Sequence, residues 1–345
     1  MVLSAEGTAV STPHDTAEEL RFGALNEEPG SRLGELRNRL QEMAGRQRDA
    51  VVNTRELAMA PSDGALMVGG NERYVLREHA FGQIAARLQI PAHYLRRCDP
   101  ELRSRNVNRW LREADRDVML RIEGDEVRGV LSSSYRPINH LDILGWLETR
   151  LGADTTVRYE LNESYLDMQV VGEPETGLPQ ARRDSLHRGL HLRNSEVGLA
   201  RVNISALVYR TICLNGLVMG SGRWAYQRRH VGKAELGDQV REAFDRAIDL
   251  SSQAATAFAG TRGIQVPEPL KALDRVISRY ELAEEEGEAV HRAYGVEPGE
   301  SLYAVINALT RAGNDTALAI DSRHKLQTLG GRLTDLSATG RWIEN

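Results

Sequence analysis

Two stretches of this chain alternate apolar and polar residues around a tight turn, and that pattern limits the fold more than any other feature. In "DVMLRIEGDEVRGVLSSSY", Val118, Leu120 and Ile122 alternate along a strand, Gly124-Asp125 turns, and Val127 to Leu131 returns. Glycine at the first turn position favours a two-residue hairpin. In "TTVRYELNESYLDMQVV", Val157, Tyr159 and Leu161 precede a turn near Asn162-Glu163, and Leu166, Met168 and Val170 follow it. Strand-like segments resume near Leu190 and across "LARVNISALVYRTICL", after a polar loop over about 172–186.

Helical spacing surrounds these strands. Leu33, Leu36, Leu40 and Met43 recur at three- and four-residue steps, as do Phe81, Ile84 and Leu88 ahead of Pro91. Asp99 is placed to cap a helix with Pro100 at its first position, and Leu102, Val107, Trp110 and Leu111 form its apolar side. "PINHLDILGWLETRL" is helical again. Beyond Gly232, Leu236, Val240, Phe244 and Ile248 mark a long helix to about residue 258, with three or four more after it. The expected fold class is α+β: an antiparallel sheet with packed helices, followed by a helical C-terminal region. The expected division is a disordered N-terminal segment at 1–30, an α+β core at 31–232 and a helical region at 233–345.

No apolar run approaches the ~18 residues of a membrane helix. The start of the chain lacks the basic and apolar regions of a secretory signal, so a cytoplasmic location is expected, with no membrane partner. Cys98 and Cys213 show no CxxC-type partner and read as reduced, buried thiols.

The net charge of −5 would repel a polyanion, but the charges are unevenly spread. Between Glu196 and Glu235 there is no Asp or Glu, while Arg201, Arg210, Arg223, Arg228, Arg229 and Lys233 all fall there. Exposed charges are screened beyond ~10 Å, so local clustering outweighs the total. Trp224 and Tyr226, two apart on an extended segment, would share a face and offer flat rings for stacking bases. The competing account makes this a loop whose aromatics pack on the core and whose arginines pair with acidic helices after 235.

A second candidate is "YRPINH", where Tyr135, Arg136, Asn139 and His140 sit at a strand-to-helix junction with an exposed helix N-terminus. Its bland reading is a buried Tyr135, Pro137 in the first turn and a cap from Asn139 or a neighbour. His187 and His191 are four apart but lack a third ligand nearby, so no metal is expected. Ser195 in "NSE" has no nucleophile elbow around it, and "GSG" at 220–222 lacks the ending of a phosphate loop. No cofactor is expected.

The segments "HAFGQIAARLQIPAHYLRR", "GVLSSSYRPINHLDILGWL", "LHLRNSEVGLARVNISALVYRTICLNGLV" and "SLYAVINALTRAG" together make the stretch 51–336 resemble the phage- and plasmid-associated family termed domain of unknown function 932. The resemblance supplies a mobile-element context and no catalytic residues. With the basic segment it gives the functional expectation: a DNA-binding accessory protein acting on single strands in recombination or replication. In it, Trp224 and Tyr226 stack bases, Arg223, Arg228, Arg229 and Lys233 hold phosphates, and Arg201 and Arg210 extend the track. A homo-oligomer suits that work. The alternatives are an interaction protein that binds an acidic partner, and an enzyme with a site around Tyr135, Asn139 and His140.

Overall fold

The computed structural model describes residues 31–175, 185–210, 215–218, 224–230, 236–337 and 339–342, and over these the chain is α+β. The expected disordered segment at 1–30 lies outside them, as do Cys213, Arg223 and Lys233. No helix among them is long and apolar enough to cross a membrane.

Two sheets form the frame. The first contains β2 (Gln47–Asn53), β3 (Leu57–Met59), β4 (Leu66–Val68), β5 (Glu72–Leu76), β6 (Asp117–Glu123) and β7 (Glu126–Ser132), in the spatial order β2-β6-β7-β5-β4-β3. The β6–β7 hairpin turns at Gly124, whose φ of 59° suits glycine. The β5–β7 pair is parallel, so this sheet is mixed where an antiparallel one was expected. Val118, Leu120, Ile122, Val127 and Val130 bury one face under α2 (Glu78–Arg87), α3 (Ala92–Arg97) and α4 (Pro100–Ala114). Asp99 caps α4 by accepting from the Leu102 N–H at 2.9 Å.

The second sheet contains β1 (Ser31–Arg32), β8 (Thr156–Leu161), β9 (Leu166–Pro174), β10 (Leu186–Asn194), β11 (Val202–Arg210), β12 (Asn215–Val218) and β13 (Trp224–Arg228), the last two both pairing with β11. One face carries Val157, Leu166, Met168, Val170, Leu190, Leu192, Val202 and Ile204. It packs on α1 (Leu33–Ala44), α5 (His140–Leu151) and the first half of α6 (Leu236–Gly260). The second half of α6 joins α7 (Pro269–Arg279), α8 (Glu284–Val296), α9 (Leu302–Ala312) and α10 (Ile320–Ser337) in another apolar core that includes Ala206, Val208 and Leu217.

The sheets are tied by the chain leaving β10. Residues 194–200 enter the first sheet as a tongue: Gln83 Nε2 donates to the Val197 carbonyl at 2.8 Å. Gly198 turns the tongue back at φ +84°, where a Cβ would lie 2.8 Å from Leu131 Cδ2.

Candidate functional site

Among the described residues of the basic segment, Arg210 stands apart from the others. Arg210 is 4% exposed and donates both terminal nitrogens to the Glu297 carboxylate, at 2.7 and 2.6 Å, with its guanidinium over the Tyr303 ring. It therefore belongs to the interface with the helical region and offers nothing to a phosphate. Tyr226 packs half-buried against the core shared by α1, α5 and α6. In β13, Tyr226 faces Ile204 and Trp224 faces Ser205, so Ala225 is an extra, bulged residue. The bulge lies between Trp224 and Tyr226. Arg228 donates to Gln239 Oε1 at 3.3 Å, and Arg201 to Gln227 Oε1 at 3.0 Å; Arg201 and Arg229 are exposed.

The junction at 135–140 does converge, with partners the sequence did not indicate. Tyr135 is buried, stacks on His230 with centroids 5.0 Å apart, and turns its hydroxyl to the carbonyls of Ser195 and Glu196. Burial pushes its phenol well above the ordinary range. Asn139 Oδ1 accepts from Arg121 Nη2 at 2.7 Å. The His140 N–H, first in α5, donates to Glu196 Oε1 at 2.7 Å, and Asn194 Nδ2 faces His140 Nδ1 at 3.0 Å, which leaves the ring proton on Nε2. Arg136 is exposed; its side chain donates to the neighbouring Ser133 and Tyr135 carbonyls, and its backbone N–H to the His230 carbonyl at 2.8 Å.

A bulge supplies the key cation here. In the β6–β7 ladder Arg121 faces Gly129 and Ile122 faces Val127, so Arg128 is the extra residue. Its side chain reaches Glu196 Oε2 at 2.6 Å, and both groups are more than nine-tenths buried. Arg121 pairs with Asp49 at 2.9 Å and donates to the Glu196 carbonyl. Burial alone would raise the Glu196 pKa, but His140, Arg128 and Arg121 outweigh it and hold the carboxyl at about 2. A cleft of about 420 Å³ opens beside this network. The helix N-terminus is already capped by Glu196 and the charges are mutually paired. This arrangement latches sheet to sheet.

The third centre lies on the opposite face of the second sheet and was missed by the sequence reading. There Asp167, Arg193 and Asn203 are cross-strand neighbours on β9, β10 and β11, and Gln169, His191 and Ser205 form the next row. α10 covers them: Arg193 bonds Asp321, Gln169 Nε2 donates to Gln327 Oε1 at 3.3 Å, and Arg323 bonds Glu160. His191 Nε2 lies 2.8 Å from Asp167 Oδ1, and the His324 ring stacks on His191 at 5.1 Å. Five of the six strand residues are buried, His191 completely.

This polar layer is incompletely bonded. Asp167 Oδ2, His191 Nδ1, Asn203 Oδ1, Ser205 Oγ, His324 Nδ1 and Thr328 Oγ1 are buried atoms without a hydrogen-bond partner. A cavity of about 490 Å³ adjoins them, lined by Tyr165, Arg193, Asn203, Tyr280, His324 and Arg332 among others. Burial opposes ionisation of Asp167, yet His191, His324 and Arg193 hold its pKa at about 2. Burial, reinforced by His191 and Arg193, lowers His324 to about 3. At neutral pH the centre thus offers a carboxylate beside a neutral His324 imidazole. Among the described residues it is the one group of three His, Cys, Asp or Glu whose donor atoms lie within 4.8 Å of one another.

The four-residue spacing of His187 and His191 does not bring the two together at one centre. His187 bonds the Gly172 carbonyl and Ser185 instead. The usable signal was the polar half of three alternations, Asp167 and Gln169, His191 and Arg193, Asn203 and Ser205, which ordinarily marks a solvated face. Comparison with family models, curated proteins and solved structures found no match.

Proposed function

We propose that the chain is an enzyme acting on a small anionic molecule held between the polar face of the second sheet and α10. The observation that carries this reading is the clustering of six buried, unpartnered polar atoms on that face, three of them on residues that line the cavity: Asn203, His324 and Thr328. An unsatisfied buried donor or acceptor costs about 1–3 kcal/mol, so a fold keeps several together where a ligand completes them. Strongly displaced titratable groups beside a cavity are the usual mark of chemistry. Arg193 pairs with Asp321 and Lys325 with Glu286, whereas Arg332 lies over the Tyr280 ring with no carboxylate partner among the described residues; its guanidinium at the cavity favours an anion. Tyr165, Tyr280 and Leu329 supply an apolar wall.

Thermal unfolding in the presence of phosphate, citrate or a nucleoside monophosphate tests the proposal. An anion at 100 times its Kd stabilises the folded chain by about 2.7 kcal/mol. At least one anion is expected to raise the melting temperature, and Arg332→Glu, an exposed change, is expected to abolish the shift. No shift with any anion, or an equal shift in the variant, refutes the reading. A labelled single-stranded oligonucleotide serves as the contrasting ligand: salt-sensitive binding indifferent to Arg332→Glu favours the basic segment instead.

A further inference from the structure

We infer that Asp167, His191 and His324 bind one divalent first-row transition-metal ion. The inference deepens the proposed function and rests on it for where the open coordination positions lead.

Two imidazoles and one carboxylate form the donor set that holds such ions while leaving positions free for water or substrate. The three side chains come from three elements, β9, β10 and α10, and converge within 4.8 Å. Ligand bonds of about 2.0–2.2 Å place donor atoms roughly 3 Å apart, so closure onto an ion needs inward movements on the order of 1 Å. His324 is the member free to make them. It is partly buried beside the cavity and has no hydrogen bond at Nδ1, whereas Asp167 and His191 are fixed on paired strands.

The spare valences point the same way. Asp167 Oδ2 is buried with no hydrogen bond, and Arg193 Nε stands off from it at 3.8 Å. His191 Nδ1 is unpartnered on a fully buried ring. Arg193 is turned to Asp321, and its charge is met there. A dication beside the single Asp167 carboxylate leaves one net positive charge. An anionic substrate reaching the open positions from the cavity neutralises it, and so the ion gives the cavity's preference for anions a second cause. Gln169 and Ser205, in the row that contains His191, lie where outer contacts to the ligands are made.

The test uses the full chain without a histidine tag, stripped with chelator and dialysed, then titrated with Co²⁺ by visible absorption and with Zn²⁺ by calorimetry. The expected result is one ion per chain, with cobalt d–d bands and a raised melting temperature. His324→Ala is expected to weaken binding about 100-fold or more, since changes in outer contacts alone cost up to that much. Its place in the cavity lining, outside the apolar cores, keeps the fold within reach, to be confirmed by circular dichroism. His291→Ala, a histidine paired with Asp274 outside the centre, is expected to bind as the parent does. Failure of the folded parent to bind an ion stoichiometrically overturns the inference, as does unchanged binding in His324→Ala. Anion stabilisation that persists in chelator, with no ion bound, removes the metal and keeps the cavity; unit metal binding with no anion effect keeps the metal and removes the cavity reading.

Discussion

Glu196→Gln isolates the latch between the two sheets. The carboxylate is 6% exposed and accepts from Arg128 at 2.6 Å and from the His140 N–H at 2.7 Å. Glutamine preserves the shape and an acceptor for the helix N-terminus, but it removes the charge opposite Arg128. The charged and titratable groups facing the site are Arg121 from β6, Arg128 from β7, Tyr135 ahead of α5, His140 from α5, His230 after β13 and, beyond Arg121, Asp49 from β2. Lowering a carboxyl from 4.5 to about 2 corresponds to about 3 kcal/mol of stability at neutral pH. Breaking a buried ion pair by removing one partner costs a similar about 3–5 kcal/mol. The folded-state pKa lies below the unfolded one. The stabilisation is therefore complete above about pH 4.5 and lost as pH falls towards 2. Urea unfolding at several pH values between 7 and 2.5 reads both quantities. The variant is expected to be about 3 kcal/mol less stable at pH 7, and the gap to close on acidification. Changes at Asp167 in the same acid range occur in both proteins and cancel in the difference. A gap below about 1 kcal/mol at pH 7, or one constant with pH, refutes the argument.

Two further substitutions probe packing. A Cβ at Gly330 in α10 would sit 2.6 Å from Thr310 Cγ2 and 3.0 Å from Leu217 Cδ1. Gly330→Ala is therefore expected to lose about 1–3 kcal/mol to overpacking, less the roughly 1 kcal/mol that alanine gains in a helix; a higher melting temperature refutes the close approach of α10 to α9. Arg210→Ala is expected to cost about 1.5–3 kcal/mol in chemical denaturation through loss of the charge-assisted bonds to Glu297, which solvent partly reaches, and to leave any affinity for labelled oligonucleotides unchanged. Weaker oligonucleotide binding by a folded Arg210→Ala protein would return Arg210 to the nucleic-acid track.

The legible parts of this sequence were those in which one period runs long enough to bury one face. Val118, Leu120 and Ile122 announced β6, and the four-residue spacing from Leu236 to Ile248 announced α6. By contrast, β3 and β4 span three residues each, too short for any period to show. The bulges at Arg128 and Ala225 were equally hidden, because an inserted residue shifts side chains between faces without changing the composition. Of the junction at 135–140, Asn139 and His140 were found, but Glu196 and Arg128 were not, since nothing local links a tongue after β10 to a bulge in β7. The polar layer was hardest to see. Its strand residues look solvent-facing until α10, more than a hundred residues later in the chain, is laid over them.

The two buried polar centres differ in a way that bears on function. In the latch every carboxylate has a hydrogen-bonded guanidinium: Glu196 has Arg128, and Asp49 has Arg121. The unpartnered atoms there, such as Arg128 Nε, Asn194 Oδ1 and His230 Nε2, belong to side chains anchored through their other atoms, and no carboxylate oxygen is among them. Such a network is self-contained, and its worth is the registration of one sheet on the other. On the far face of the second sheet the deficit includes a carboxylate oxygen and nitrogens of two imidazoles, groups that bind ions as readily as they bind protons. Burying them costs stability that no neighbour among the described residues returns. Aliphatic residues at Asp167, His191 and Ser205 would pack the same sheet under α10 without that cost. The polar choice is therefore explained by what enters the cavity, and the latch holds in place the sheet on which that choice is displayed.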